Sequence, residues 1–396
     1  MIKIAMIGVG DISGIYLKNL TELFKEVELI GLCDLIPQRA ENGLSFIKQQ
    51  QQKGIACVTP RIYSNMFEAF NDPDVNVVLN LTRPCEHFEV SKNALEHGKH
   101  VYTEKPLAVD MNEARELAAI AAKNNLFIGG APDTFMGAGI QTARKLIDCG
   151  IIGDIVGADC AMLCRGHETW HPDPGFYYKR GGGPMLDMGP YYVTALCSLL
   201  GEAKNVIGRV KKSFDSRTIT SHKHFGEKIT VDVDTHLTGS IEFSSGAIAT
   251  VVTTFDAHYT SQARFEVYGT DGTLIIPDPN TFGGPVLLFR CEDMQLQHSV
   301  DPALVKPEDI SPYRHYRQIP LMFGYRDNSR GLGLADMCKA IETGRDYRAS
   351  LSLQMHVLEI LTSFSKSCAD KKYFDLTTRY NRSEAMVNSG LLGIVD

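Results

Sequence analysis

The chain has 396 residues, 44% hydrophobic and 22% charged, which excludes disorder, collagen and coiled coil as its main state and makes two domains of roughly 150 residues each the expectation. A formal charge of −7 argues against nucleic acid or an anionic membrane surface as partner, because nothing concentrates positive charge against phosphate. Small molecules and further copies of the chain are the expected partners. The first residues run straight into a short apolar stretch without the charged start and cleavage site of a secretory leader, no apolar run reaches bilayer length, and the ten cysteines form no Cys-x-x-Cys pair. These features read as a cytoplasmic protein with reduced thiols.

In chain order, apolar runs at 4–7, 29–33, 75–81, 100–103 and 126–129 alternate with amphipathic stretches such as 86–97 and 111–123. The second stretch opens with Asp110 followed three residues on by Glu113, the pattern of a capping box. This alternation predicts an α/β fold with a doubly wound parallel sheet over residues 1–130. The glutamine run 49–52 reads as a solvated helix end. Beyond about residue 205 the pattern changes to long alternating runs, 235–243 and 247–255, and to a hairpin in which Thr270-Asp271-Gly272 separates two strands. Two helices, 332–343 and 350–367, close the chain. Residues 131–396 therefore read as a second α/β domain with an open, mainly antiparallel sheet, and covering that sheet favours a homodimer or homotetramer.

The first strand ends in Gly8-Val9-Gly10-Asp11-Ile12-Ser13 and leads into a helix. Gly8 suits the tight turn, Gly10 lets backbone approach a pyrophosphate, and the helix N-terminus supplies N–H groups for its charge. Ser13 stands where the strict pattern has glycine or alanine. The second strand ends in Asp34, placed to accept hydrogen bonds from an adenosine ribose and to repel a 2′-phosphate. NAD is thereby favoured over NADP, although Arg39 lies within reach of a 2′-phosphate.

Further motifs extend this pattern: Thr82-Arg83-Pro84 with His87 after a buried strand, Glu104-Lys105-Pro106 after the next, and Gly181-Gly182-Gly183 leading to Asp187. Together they resemble the glucose–fructose oxidoreductase/inositol dehydrogenase/rhizopine catabolism (Gfo/Idh/MocA) family over essentially the whole chain. The resemblance implies a Rossmann domain followed by a substrate-binding and oligomerisation domain, NAD(P)-dependent oxidation or reduction of a sugar or polyol carbinol, and a cis bond before Pro106. It places Thr82, Pro84, His87 and Glu104 beside the cofactor, and Asp133, Thr134 and Phe135 near substrate and nicotinamide.

Hydride removal from a carbinol needs a base for the hydroxyl proton and a donor for the oxygen. Lys105 is the expected donor, because its ammonium stabilises negative charge as the C–H bond weakens. The family pattern Asp-x-x-x-His is broken here, with Tyr191 four residues after Asp187, as in some branches of the family. A phenol is a weak base at neutral pH unless a nearby cation stabilises the phenolate. Tyr191 is the leading base on this reading, with Asp187 orienting it and Lys105 as the cation. His171 is the rival, since imidazole titrates near neutrality. Trp170, the only tryptophan, reads as a substrate wall together with His171. His167 and Glu168 lack a third ligand at a convincing spacing, so no metal is expected. Two other readings stay open: a dinucleotide-binding sensor without turnover, and NAD-assisted glycoside cleavage.

Overall fold

The structure, a computed structural model, describes residues 1–261, 265–292, 316–387, 392–393 and 395. The N-terminal alternation forms a six-stranded parallel sheet built from β1 (Ile2–Ile7), β2 (Val27–Cys33), β3 (Arg61–Ile62), β4 (Val77–Asn80), β5 (His100–Thr103) and β6 (Ile128–Gly130). Its spatial order is β3-β2-β1-β4-β5-β6, so the chain reverses direction across the sheet between β1 and β4. Doubly wound sheets bind ligands outside the strand ends at that point. The strands read as continuous apolar runs because helices cover both faces, and Ile4, Met6, Val77 and Leu79 are fully buried.

Helix α1 (Ser13–Glu22) follows β1 directly. The helix Met111–Asn124 is capped by Asp110, whose carboxylate accepts from the N–H groups of Asn112 and Glu113. Glu113 reaches back one residue further than a strict capping box, to the N–H of Val109 at 3.2 Å. The run at 49–52 does close a helix, Pro37–Gln52, but Gln50 is buried and only part of the run faces solvent.

Among the described residues the second sheet has nine strands, in the order β16-β15-β14-β13-β7-β12-β11-β8-β17. In chain order these are β7 (Ile155–Leu163), β8 (Ala203–Lys211), β11 (His236–Phe243), β12 (Ile248–Thr254), β13 (Phe265–Gly269), β14 (Gly272–Ile275), β15 (Val286–Arg290), β16 (Arg317–Ile319) and β17 (Phe374–Asp375), while β9 (Ser216–Thr218) and β10 (Lys228–Thr230) form a separate ribbon. All its neighbours pair antiparallel except β7 and β12, which run parallel. That pair joins segments ninety residues apart, beyond what local periodicity encodes. Inward residues Leu237, Ile241, Ala249 and Val251 are buried, whereas Ile248, on the other face, is 56% exposed.

The helix Leu351–Asp370 connects the two sheets. It packs on β8 with one side and on the helix Met111–Asn124 and β6 with another, and Gln354 Nε2 donates to the carbonyl of Gly130 at 2.8 Å. Residues near the strand ends of the first domain and the segment 183–200 are thereby held in one orientation. No helix among the described residues is long and apolar enough to cross a membrane.

Candidate active site

The turn after β1 closes tightly against the end of β4. Gly8 has φ +92°, and a Cβ there would lie 2.8 Å from both the carbonyl carbon and the oxygen of Leu81. Gly8→Ala is therefore expected to combine a backbone conformation costing on the order of 1–3 kcal/mol with a backbone clash. A drop in thermal midpoint together with lost NADH binding would show this. Gly10 differs, because a Cβ there would meet no protein atom within 4 Å. The first turn of α1 has no side-chain cap and no acidic residue, so open space faces uncapped N–H groups. A dinucleotide pyrophosphate fits that combination. Ser13 is buried and ties the turn, its hydroxyl donating to the carbonyl of Gly10 at 2.6 Å. Asp11 and Ile12 remain accessible beside it.

Asp34, just past β2, is held by two backbone donors: Val9 N–H to Oδ2 at 2.7 Å and Ile36 N–H to Oδ1 at 2.8 Å. Arg39 Nη1 lies 4.0 Å from Oδ1 and is half exposed. The carboxylate is thus a fixed acceptor at the end of β2.

Beyond β4 and β5 the loops interlock. Thr82 Oγ1 donates to Asn80 at 2.6 Å. The buried His87 ring lies between two carbonyls, that of Pro106 at 2.7 Å and that of Thr82 at 3.0 Å, and burial draws its pKa down against their pull. The Lys105–Pro106 bond is cis. Glu104 accepts from Tyr16 Oη at 2.8 Å and from the N–H of Lys105 at 3.1 Å. These contacts fix the lysine backbone below the cleft, where Pro84, Lys105, Tyr177 and Asp187 share a wall.

Asp187 ends the short helix Gly183–Asp187. Lys105 Nζ donates to its Oδ1 at 2.8 Å and to its carbonyl oxygen at 2.6 Å, and His167 Nε2 lies 2.8 Å from Oδ2. Burial would push the Asp187 carboxyl up, but Lys105 and the His167 hydrogen bond outweigh it and hold it well below the usual range. Burial would likewise lower the Lys105 ammonium, and Asp187 reverses this and raises it. The pair is therefore fully charged at neutral pH.

Tyr191 sits four residues on, in the helix Gly189–Leu200, with its ring centroid 5.2 Å from Lys105 Nζ. A second cation reaches the phenol: Arg330 Nη2 donates to Tyr191 Oη at 3.4 Å and to Asn280 Oδ1 at 2.8 Å. Two cations thus flank one phenol. The sequence reading identified only the first, because Arg330 belongs to no motif and enters through long-range packing.

The polar segment 166–178 forms a flap over these groups. Glu168, far from being a ligand, is buried and ion-paired with Arg217 at 2.9 Å. His171 accepts the N–H of Asp173 at Nδ1 at 3.0 Å and directs Nε2 toward Asp11 at 3.8 Å, over the glycine turn. Burial lowers its pKa. Arg83 joins the flap to the first domain through Asp173 at 2.9 Å. Trp170 remains 61% exposed.

Asp133 and Phe135 are buried. The Asp133 Oδ2 accepts from the N–H groups of Gly331 and Gly333 at 2.8 and 3.1 Å, and burial pushes its carboxyl up to about 6. Its hydrogen bonds tie the Rossmann edge to the segment bearing Arg330. The histidine beside Asp187 is thus His167, which spacing in the sequence presented only as half of an incomplete metal set.

Residues 2–129 match the oxidoreductase family with an NAD-binding Rossmann fold, and residues 140–275 match the GFO/IDH/MocA C-terminal domain. An inositol 2-dehydrogenase/D-chiro-inositol 3-dehydrogenase of Lactiplantibacillus plantarum is 29% identical over 153 residues, covering 38% of this chain and 41% of that protein. A levoglucosan dehydrogenase of Pseudarthrobacter phenanthrenivorans is 27% identical over 222 residues, covering 52% and 56%. The matched stretches thus span about half the length of these curated relatives. A solved levoglucosan dehydrogenase complex with NADH and L-sorbose superposes with a TM-score of 0.73 at 20% identity, covering 95% of this chain and 99% of that one, a likeness of fold. Dinucleotide-binding sheets alone are shared by many unrelated enzymes. Because the matches continue through the second domain, this chain belongs to the Gfo/Idh/MocA family of oxidoreductases.

Proposed function

We propose that the protein moves hydride between NAD and a carbinol carbon of a sugar, inositol or related polyol. The observation that carries this reading is the part-buried Lys105 ammonium just beyond the end of β5, 2.8 Å from Asp187 Oδ1. Two of its three N–H groups are spent on Asp187, which leaves one for a substrate hydroxyl. A nicotinamide dinucleotide held by the Gly8–Ser13 turn and Asp34 would supply the acceptor for the hydride, which leaves the carbinol carbon with its electron pair. Tyr191, beside Lys105 and Arg330, is the proposed acceptor of the hydroxyl proton, while the free N–H of Lys105 stabilises negative charge on the oxygen. Asp187 keeps Lys105 protonated and aimed.

His171 serves this chemistry less well. Its Nδ1 lone pair is committed to the N–H of Asp173, so in the neutral ring Nε2 carries the proton and faces Asp11 as a donor. That geometry suits cofactor contact near the glycine turn.

NAD is proposed over NADP because the fixed Asp34 carboxylate would meet a 2′-phosphate with like charge. The expected kcat/KM ratio favours NAD by about tenfold or more, roughly one unfavourable charge contact, and Asp34→Ala should narrow it. Equal kinetics with both cofactors would reject this. The open face of the nine-stranded sheet is the proposed interface of a homodimer or homotetramer, testable by sedimentation.

The reading itself is tested by incubating the protein with NAD and a panel of aldoses, inositols and sugar acids while following absorbance of reduced nicotinamide. Net NADH with at least one member is expected. Tight NAD binding without turnover on any of them, or turnover of a glycoside without net NADH, would overturn it.

A further inference from the structure

The proton step above uses neither His167 nor Trp170, yet both are hydrogen-bonded into its machinery. We propose that Trp170, His167 and Asp187 form a brace that aims the Lys105 ammonium, with Trp170 serving at once as a wall of the substrate cleft and as the outer end of that brace. The proposal rests on the oxidoreductase reading of the site.

The bonds run in one direction. Trp170 Nε1–H donates to His167 Nδ1 at 3.2 Å, and an indole N–H can only donate. Nδ1 is therefore the acceptor and the neutral ring keeps its proton on Nε2, which donates to Asp187 Oδ2 at 2.8 Å. The other carboxylate oxygen and the Asp187 carbonyl take Lys105 at 2.8 and 2.6 Å. Turning the carboxylate breaks a bond on one side or the other.

The imidazole is also locked sterically. Tyr177 and Phe255 pack edge-on against it at centroid distances of 4.3 and 4.7 Å. Titratable groups around it are Asp187 with Lys105 behind it, His171 and Tyr177 on the same flap, and Glu168 held by Arg217 beneath. With packing on its flanks, His167 acts through Asp187 as a positioning residue and has no free lone pair for substrate.

Trp170 supplies the link to substrate. Its N–H faces inward to His167 while 61% of the residue stays exposed, so its orientation comes from that polar contact as much as from packing. A sugar ring laid on the indole would press on the same residue that selects the His167 tautomer. Binding and the aim of Lys105 are thereby coupled, and a merely apolar wall would not need an indole.

The test uses the full chain with three variants. His167→Ala is expected to lower kcat about tenfold to a hundredfold, the scale of a displaced catalytic group, with KM for NAD within about twofold. His167→Gln, whose amide N–H can reach the same carboxylate, should recover most of that loss. Trp170→Phe keeps an aromatic face but removes the donor, and should lower kcat about threefold to tenfold, the worth of one neutral hydrogen bond. Nitrogen NMR of the histidine rings should show His167 with its proton on Nε2 in the wild type and a mixture of tautomers in Trp170→Phe. A kcat for His167→Ala within about twofold of wild type, or a wild-type proton on Nδ1, would overturn the brace. If no substrate turns over, the oxidoreductase reading fails while the tautomer still decides the brace. Should His167→Ala fail to fold, the surface variant Trp170→Phe and the NMR signal decide it.

Discussion

Lys105→Met is expected to lower kcat by about a thousandfold or more while changing NADH affinity by less than about threefold. The substitution keeps most of the apolar stem and removes the one ammonium proposed both to stabilise charge on the substrate oxygen and to assist proton transfer at Tyr191, whose ring lies 5.2 Å from it. Loss of a single oxyanion donor costs roughly 10²–10³ in rate, and loss of acid–base function a further 10²–10⁴, though the two overlap when one residue serves both. Stopped-flow absorbance for turnover and fluorescence titration for NADH separate the two effects. A loss in binding equal to the loss in rate would show that Lys105 holds the cofactor and leaves the chemistry to others.

The same variant has a structural consequence with a defined sign. The folded carboxyl of Asp187 is lowered because burial is overcome by Lys105 and His167. A depressed carboxyl contributes stability that is fully present above its unfolded value, about 3.9, and is lost as pH falls below it. Without Lys105 that contribution shrinks and Asp187 is left buried with only His167, so acid unfolding of Lys105→Met should begin at a higher pH than in wild type. Lys105→Arg keeps the charge but not the compact ammonium, and separates these outcomes: stability near wild type, turnover still impaired.

Much of this site was legible because its pieces are local. The glycine turn, Asp34 and Lys105 each sit at the end of an apolar run, and a parallel sheet brings all such ends to one edge. Asp187 and Tyr191 come from a single glycine-rich segment. What the sequence concealed depends on long-range closure. His167 meets Asp187 across twenty residues of flap, Arg330 meets Tyr191 across 139 residues, and the parallel pairing of β7 with β12 leaves no periodic trace. Asp133 belongs to both groups. The family resemblance sets it near substrate and nicotinamide, and its Oδ2 also accepts from the backbone N–H groups of Gly331 and Gly333. The anchoring of Arg330 beside Tyr191 thus depends on Asp133 through contacts that no local motif announces.

Tyr191→Phe is expected to lower kcat by about 10²–10⁴-fold, the range for removing an acid–base group, with substrate KM changed little. Removal of the hydroxyl leaves the ring packed at 6% exposure, so stability should move by less than about 1 kcal/mol, one lost hydrogen bond. Arg330→Gln should fall between wild type and Tyr191→Phe, since Arg330 touches the phenol at 3.4 Å without reaching Lys105. His171→Ala should act differently, raising KM for NAD with kcat reduced less than about fivefold, because His171 faces Asp11 over the glycine turn. The pair of variants is decisive. Full turnover in Tyr191→Phe with none in His171→Ala would transfer the base to the flap, and would require the His171 ring to exchange its bond with Asp173 for one with the substrate. The present hydrogen bonds oppose that exchange, since breaking the Nδ1 contact strands the buried side of the ring. Two cations on Tyr191, against one distant carboxylate on His171, support the proposal that the proton acceptor lies in the helix Gly189–Leu200.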